Sequence, residues 1–129
     1  LYVIGSNELR IKHINKALKS INLSEKKKLI IVGDFNYFPY NRKRLEKIMT
    51  KFGLREATAN IRQTMKFYDS GKFEKFNLLQ RLTLPFVNKF FVKQIKTDYS
   101  FYRGLKLIKT ERIEAKTSDH YPIISTFSL

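Results

Sequence analysis

The stretch Leu29-Ile30-Ile31-Val32-Gly33-Asp34-Phe35-Asn36 decides how the rest of the chain is read. Four consecutive apolar residues, three of them β-branched, predict a fully buried strand, and the Gly and short polar side chains after them predict an abrupt loop. Such a strand carries Asp34 and Asn36 to the carboxyl edge of a sheet, where open α/β sheets collect their ligands. Residues two apart point the same way, so a carboxylate and an amide can address one ligand. Asp and Asn are also favoured turn residues, and taken alone this stretch fits a plain strand-to-loop turn equally well.

Two later stretches weigh against the plain turn. Thr97-Asp98-Tyr99-Ser100-Phe101-Tyr102-Arg103-Gly104 alternates like a strand with an inward-facing acid at its start. Thr117-Ser118-Asp119-His120-Tyr121-Pro122-Ile123 places Asp-His in a loop just before a final strand. In order and content the three resemble the C-terminal half of the endonuclease/exonuclease/phosphatase superfamily, the deoxyribonuclease-like metal-dependent phosphoesterases. That half carries Gly-Asp-Phe-Asn, then an Asp-Tyr strand, then Ser-Asp-His. Each motif is short, and the specificity lies in having all three in sequence across residues 33 to 123.

The resemblance implies an α/β fold, namely the C-terminal half of a four-layer α/β/β/α sandwich whose sheets are mostly antiparallel and whose helices lie outside. Residues 1–129 would then be a single partial domain. Leu1 matches the Leu of a Thr-His-Leu strand, which places a site His immediately upstream. The family's principal metal-binding Glu, with an Asn and a His or Tyr of the site, also belongs to the N-terminal half. No acid here stands in an equivalent motif, so residues 1–129 alone are expected to be inactive.

The chemistry implied is metal-dependent phosphodiester hydrolysis, which needs a cation for developing charge, a base for water and donors for the phosphoryl oxygens. By resemblance, Asp34 orients or deprotonates the attacking water and Asn36 donates to the scissile phosphate. Asp119, with Asp34, holds Mg²⁺, or Mn²⁺ in its place; Mg²⁺ takes one or two carboxylates and keeps several waters. His120 donates to the phosphate or acts as general base, with its tautomer fixed by a carboxylate, for which Asp98 is the candidate. Looser matches place Arg62 and Thr64 at the substrate rim, and Arg103 joins them as a substrate-binding candidate.

Composition narrows the substrate without naming it. The 129 residues carry 26 Lys+Arg against 11 Asp+Glu, a net charge of +15 with pI ≈ 10.1, which suits a polyanionic partner. A Lys-rich solvated surface explains the same numbers, and charge alone does not separate nucleic acid from an acidic membrane. Nucleic acid is the expected partner. The alternatives are a lipid or inositol-phosphate phosphoesterase and a non-catalytic, basic nucleic-acid-binding fragment. With 43% apolar residues the chain can bury a core, and the absence of Cys excludes disulfides and thiolate metal sites. A reducing, cytoplasmic location is expected from the lack of Cys and of a signal-peptide pattern. No apolar run approaches the roughly 18 residues of a membrane span.

Along the chain, Leu1 to Ile4 read as a short strand, and Ile11, Ile14, Leu18 and Ile21 predict an amphipathic helix over 8–22, capped by Ser6 or Asn7. His13 falls mid-helix and reads as a surface or packing residue. Glu25 to Lys28 read as a solvated loop. Asn41 is the expected cap of a second helix with apolar Leu45, Ile48, Met49 and Phe52, ended by Gly53. Arg62 to Met65 begin something strand-like. Lys66 to Lys96 interleave basic and aromatic residues, which suits either a single-strand binding surface or a core with solvated lysines, with a helix near 77–92 broken at Pro85. Thr97–Tyr102 and Leu105–Ile113 predict adjacent strands turning at Arg103-Gly104, and Tyr121–Phe127 the last strand.

Overall fold

The computed structural model describes residues 7–21, 28–37, 41–65, 95–115 and 118–129. Its elements are α1 (Asn7–Ser20), β1 (Leu29–Asp34), α2 (Arg42–Lys51), β2 (Arg55–Glu56), β3 (Asp98–Arg103), β4 (Lys106–Arg112) and β5 (Ile123–Ser128). Together they make an α/β fold with two antiparallel sheets, one of order β1-β3-β2 and one pairing β4 with β5. The strand expected over 1–4, the loop over 25–27 and the basic aromatic segment over 66–94, with its helix broken at Pro85, lie outside the described residues.

α1 forms where the three-four spacing predicts it. Ile14 and Leu18 are buried and Ile11 packs against them. The helix stops at Ser20, whose hydroxyl donates to the Ala17 carbonyl at 2.8 Å, an alternative to continuing the ladder. Ile21, expected on the helix's apolar face, is therefore outside it and half exposed. His13 is exposed.

α2 buries Leu45, Ile48 and Met49. Asn41 precedes it but makes no side-chain cap bond. At the other end the Gly53 and Leu54 amides donate to the carbonyls of Thr50 and Met49 at 2.9 and 3.0 Å, a Schellman ending with Gly53 left-handed at φ 69°. A Cβ at Gly53 would lie 3.1 Å from Arg103 Cδ. Gly53→Ala is expected to cost about 1–2 kcal/mol, read as a lower urea midpoint at unchanged m-value.

β1 was expected to be buried on both faces and is buried on one. Leu29 and Ile31 pack under α1 and α2 with Tyr99 and Phe101 of β3, whereas Ile30 and Val32 are 46% and 69% exposed. The reason is layering among the described residues: the helices cover one face of the three-stranded sheet, and β5 approaches the other. There Phe127 meets Tyr102 with ring centroids 5.2 Å apart. Between the sheets lies a cleft of about 350 Å³ walled by Ile30, Val32, Ile123 and Phe127 and reaching Asp98.

The predicted pairing of residues 97–102 with 105–113 is also corrected. β3 pairs with β1 and β2, while β4 pairs with β5. At Gly104, φ 70°, the chain turns out of one sheet and enters the other. Arg62 to Met65 make no strand, and Met65 forms only an isolated bridge with His120.

Candidate active site

The register of β1 on β3 sets Asp34 opposite Asp98 at the end of the ladder. Cross-strand partners project to the same face, so both carboxylates share the face of Ile30, Val32 and Ser100, on the side of the cleft. Two acids directly opposite disfavour a sheet, and a broken local rule of this kind marks a functional site more often than a structural one. The ladder continues one step, with the Phe35 amide donating to the Thr97 carbonyl at 2.9 Å. Phe35 turns the other way and is buried edge-on against Tyr99 and Phe101. That anchor fixes the loop, leaving Asp34 exposed and Asn36 partly exposed.

Asn36 adopts a left-handed backbone, φ 52°, which Asn tolerates better than most side chains. Its backbone amide donates to Asp34 Oδ1 at 2.9 Å and its side-chain amide to Asp34 Oδ2 at 3.0 Å. Beneath the loop, the buried Arg10 of α1 donates from Nη1 to the Asn36 carbonyl at 3.0 Å. Arg10 was missed in the sequence; its place one helical turn before Ile14, beside the apolar stripe of α1, is the signal that could have found it.

His120 arrives from the segment before β5. Its backbone amide donates to Ser118 Oγ at 3.1 Å, and its ring Nδ1 lies 2.8 Å from Asp98 Oδ2, which also accepts from Thr97 Oγ1 at 3.1 Å. A carboxylate only accepts, so the partner assigns the proton to Nδ1 and leaves Nε2 as the atom that changes protonation. Burial pulls the His120 pKa down, but the Asp98 hydrogen bond and the charges of Asp98, Asp119 and Asp34 outweigh it, and the net shift is upward. The charges of all three carboxylates thus bear on the His120 ring.

A histidine whose folded pKa is raised stabilises the fold fully below its unfolded pKa and loses that contribution as pH rises through the folded value. The melting temperature should fall as pH rises from the ordinary histidine value of about 6.5 through the higher folded value, and this component of the fall should vanish in His120→Gln.

Of the residues expected at the site, Asp34, Asn36, Asp98, Asp119 and His120 come together. Arg62, Thr64 and Arg103 are placed differently. Arg62 is exposed and lines a separate polar groove with Asn60, Gln63 and Arg112. Arg103 sits at the far end of β3 from Asp98, its Nη1 donating to the Phe52 carbonyl at 3.0 Å. Thr64 is fully buried and faces backbone rather than a substrate rim.

Asp34 and Asp119 are both exposed, and each presents hard carboxylate oxygens of the kind Mg²⁺ accepts. Asp98 is committed to His120. Among the described residues no cluster of three His, Cys, Asp or Glu side chains is poised to enclose a metal ion. The donors here fit a cation that keeps most of its ligands as water and phosphate oxygen.

Comparison with protein-family models, with characterised proteins and with solved structures finds no match to this chain. Among the described residues no helix is long and apolar enough to cross a membrane.

Proposed function

We propose that this chain carries the acid-base half of a metal-dependent phosphodiesterase acting on nucleic acid. The observation behind the reading is the convergence of three separate stretches, with His120 Nδ1 2.8 Å from Asp98 and Asp34 and Asp119 near enough to charge the same imidazole. Their order along the chain is that of the endonuclease/exonuclease/phosphatase superfamily, whose layered sandwich we take as the parent fold. In this reading His120, whose charged form Asp98 favours, donates from Nε2 to a phosphoryl oxygen as negative charge develops there. Asp34 orients the attacking water and accepts its proton, and Asn36, steered by Asp34, donates to the phosphate. Asp119 and Asp34 would hold Mg²⁺, which when bound supplies positive charge to the phosphoryl group.

The net charge of +15 favours nucleic acid over a small phosphoester, because a long polyanion releases many counterions on binding. The same charge supports a second reading, a basic binding fragment without turnover. The two separate in one experiment on the complete protein: cleavage of single-stranded DNA and RNA with Mg²⁺ or Mn²⁺, alongside binding across a salt series. Metal-dependent cleavage lost in His120→Ala, with binding kept, supports the phosphodiesterase. Salt-sensitive binding without turnover supports the alternative. Residues 1–129 by themselves are expected to bind and not to cleave.

A further inference from the structure

Thr64 bonds Asp98 and the residue just after His120 without facing solvent. Its hydroxyl oxygen accepts from two consecutive amides of the segment entering β3, Thr97 at 3.0 Å and Asp98 at 3.1 Å. A hydroxyl has two acceptor lone pairs, and these two amides use both. On its backbone side, Thr64 donates to the Ile95 carbonyl at 2.9 Å and its carbonyl accepts from the Tyr121 amide at 2.8 Å, one residue after His120. Met65 bridges His120 itself. One fully buried residue therefore joins the segment that presents Asp98 to the segment that presents His120.

We infer that Thr64 is a positioning residue that clamps Asp98 and His120 into register across two sheets, an inference that rests on reading those two as the working pair. β3 and β5 share no ladder, so nothing in the strand pairing sets the distance between a residue at the start of one and a residue just before the other. The Thr64 hydroxyl fixes the Asp98 backbone, and the Thr64–Met65 backbone fixes the approach of His120. A merely packed threonine would need neither bond. Thr58 provides the contrast: it is equally buried, its hydroxyl accepts from the Ser100 amide at 3.4 Å and donates to Glu56 at 3.0 Å, and it contacts neither member of the pair.

The test reads the pair directly. A hydrogen-bonded Nδ1 proton of His120 gives a protected, downfield proton resonance, assigned by its loss in His120→Gln; exposed His13 is the only other histidine. Thr64→Val keeps the volume and removes the acceptor, and it should abolish this resonance while the amide spectrum of α2 and β1 stays dispersed. Thr64→Ser and Thr58→Val should keep it. Should Thr64→Val not fold, Thr64→Ala is read the same way at low temperature, and Thr64→Ser decides independently. A folded Thr64→Val or Thr64→Ala that retains the resonance overturns the clamp, as does a folded Thr64→Ser that loses it or a Thr58→Val that loses it equally. The resonance is recorded without substrate, so a complete protein that cleaves no phosphodiester would overturn the functional reading and leave the clamp standing.

Discussion

Glu56→Gln is expected to destabilise the fold by about 3–5 kcal/mol. Glu56 lies at the sheet edge on β2 with its side chain 6% exposed, and it is shared by two cations: Lys96, 3% exposed, and Arg42 at the start of α2, 2.9 Å away. Thr58 Oγ1 donates to the same carboxylate at 3.0 Å. Neutralising Glu56 leaves the Lys96 ammonium buried beside the Tyr99 ring, 4.9 Å from its centroid, and hydrogen-bonded to the Thr58 carbonyl. Burial already holds the Lys96 pKa below its ordinary value against the opposing pull of Glu56, so losing that pull drives it further down. Lys96 should then shed its proton, which limits the loss at high pH. Urea denaturation checks both points: a large fall in midpoint at neutral pH, smaller in alkali. Glu56→Gln combined with Lys96→Met removes both charges and should recover much of the loss, because apolar replacement of a buried pair is often close to neutral.

Under the proposed function, His120→Ala and Asp34→Ala should each lower phosphodiester turnover by about 10²–10⁴-fold, the range for losing a positioned acid or base. They should differ in what survives. His120→Ala removes a donor and leaves both exposed carboxylates, so the apparent affinity for Mg²⁺ should change little. Asp34→Ala removes a cation donor and also the acceptor of both Asn36 amides, so metal affinity and the Asn36 loop should loosen together. Combined kcat and KM measurement across a Mg²⁺ series distinguishes the two. Loss in KM alone for either variant would count against a direct chemical role.

β1, β3, β4, β5 and both described helices were legible because their signals are local, whereas the two-residue β2 was not, and the grouping of Asp34, Asn36, Asp98, Asp119 and His120 was expected from the family resemblance alone. Apolar runs, three-four spacing, a terminal Gly and short polar motifs need no knowledge of partners. The sheet partition was not legible. Arg103-Gly104 between two alternating stretches reads as a hairpin turn, yet the same left-handed glycine serves to send the chain into another sheet. The one-sided burial of β1 was missed for a related reason: a run of apolar residues says that a strand can be buried on both faces, not that two layers exist to do it. Thr64 was placed at the substrate rim because a motif position reports where a residue stands and not which way its hydroxyl points. Lys96, one of many lysines in a basic stretch, carries no local sign that it is buried against Glu56.

Asp34 and Asp98 face each other across a ladder whose two strands are far apart in the chain, with α2 and β2 between them. No contiguous peptide holds both halves of the site, so it comes into being only when a long loop closes, and closing such loops is the slow part of assembling sheet proteins. The facing of Asp34 and Asp98 is therefore a late product of folding: under the proposed function, activity and global cooperativity would rise together, and a partly folded chain would carry the motifs without the chemistry.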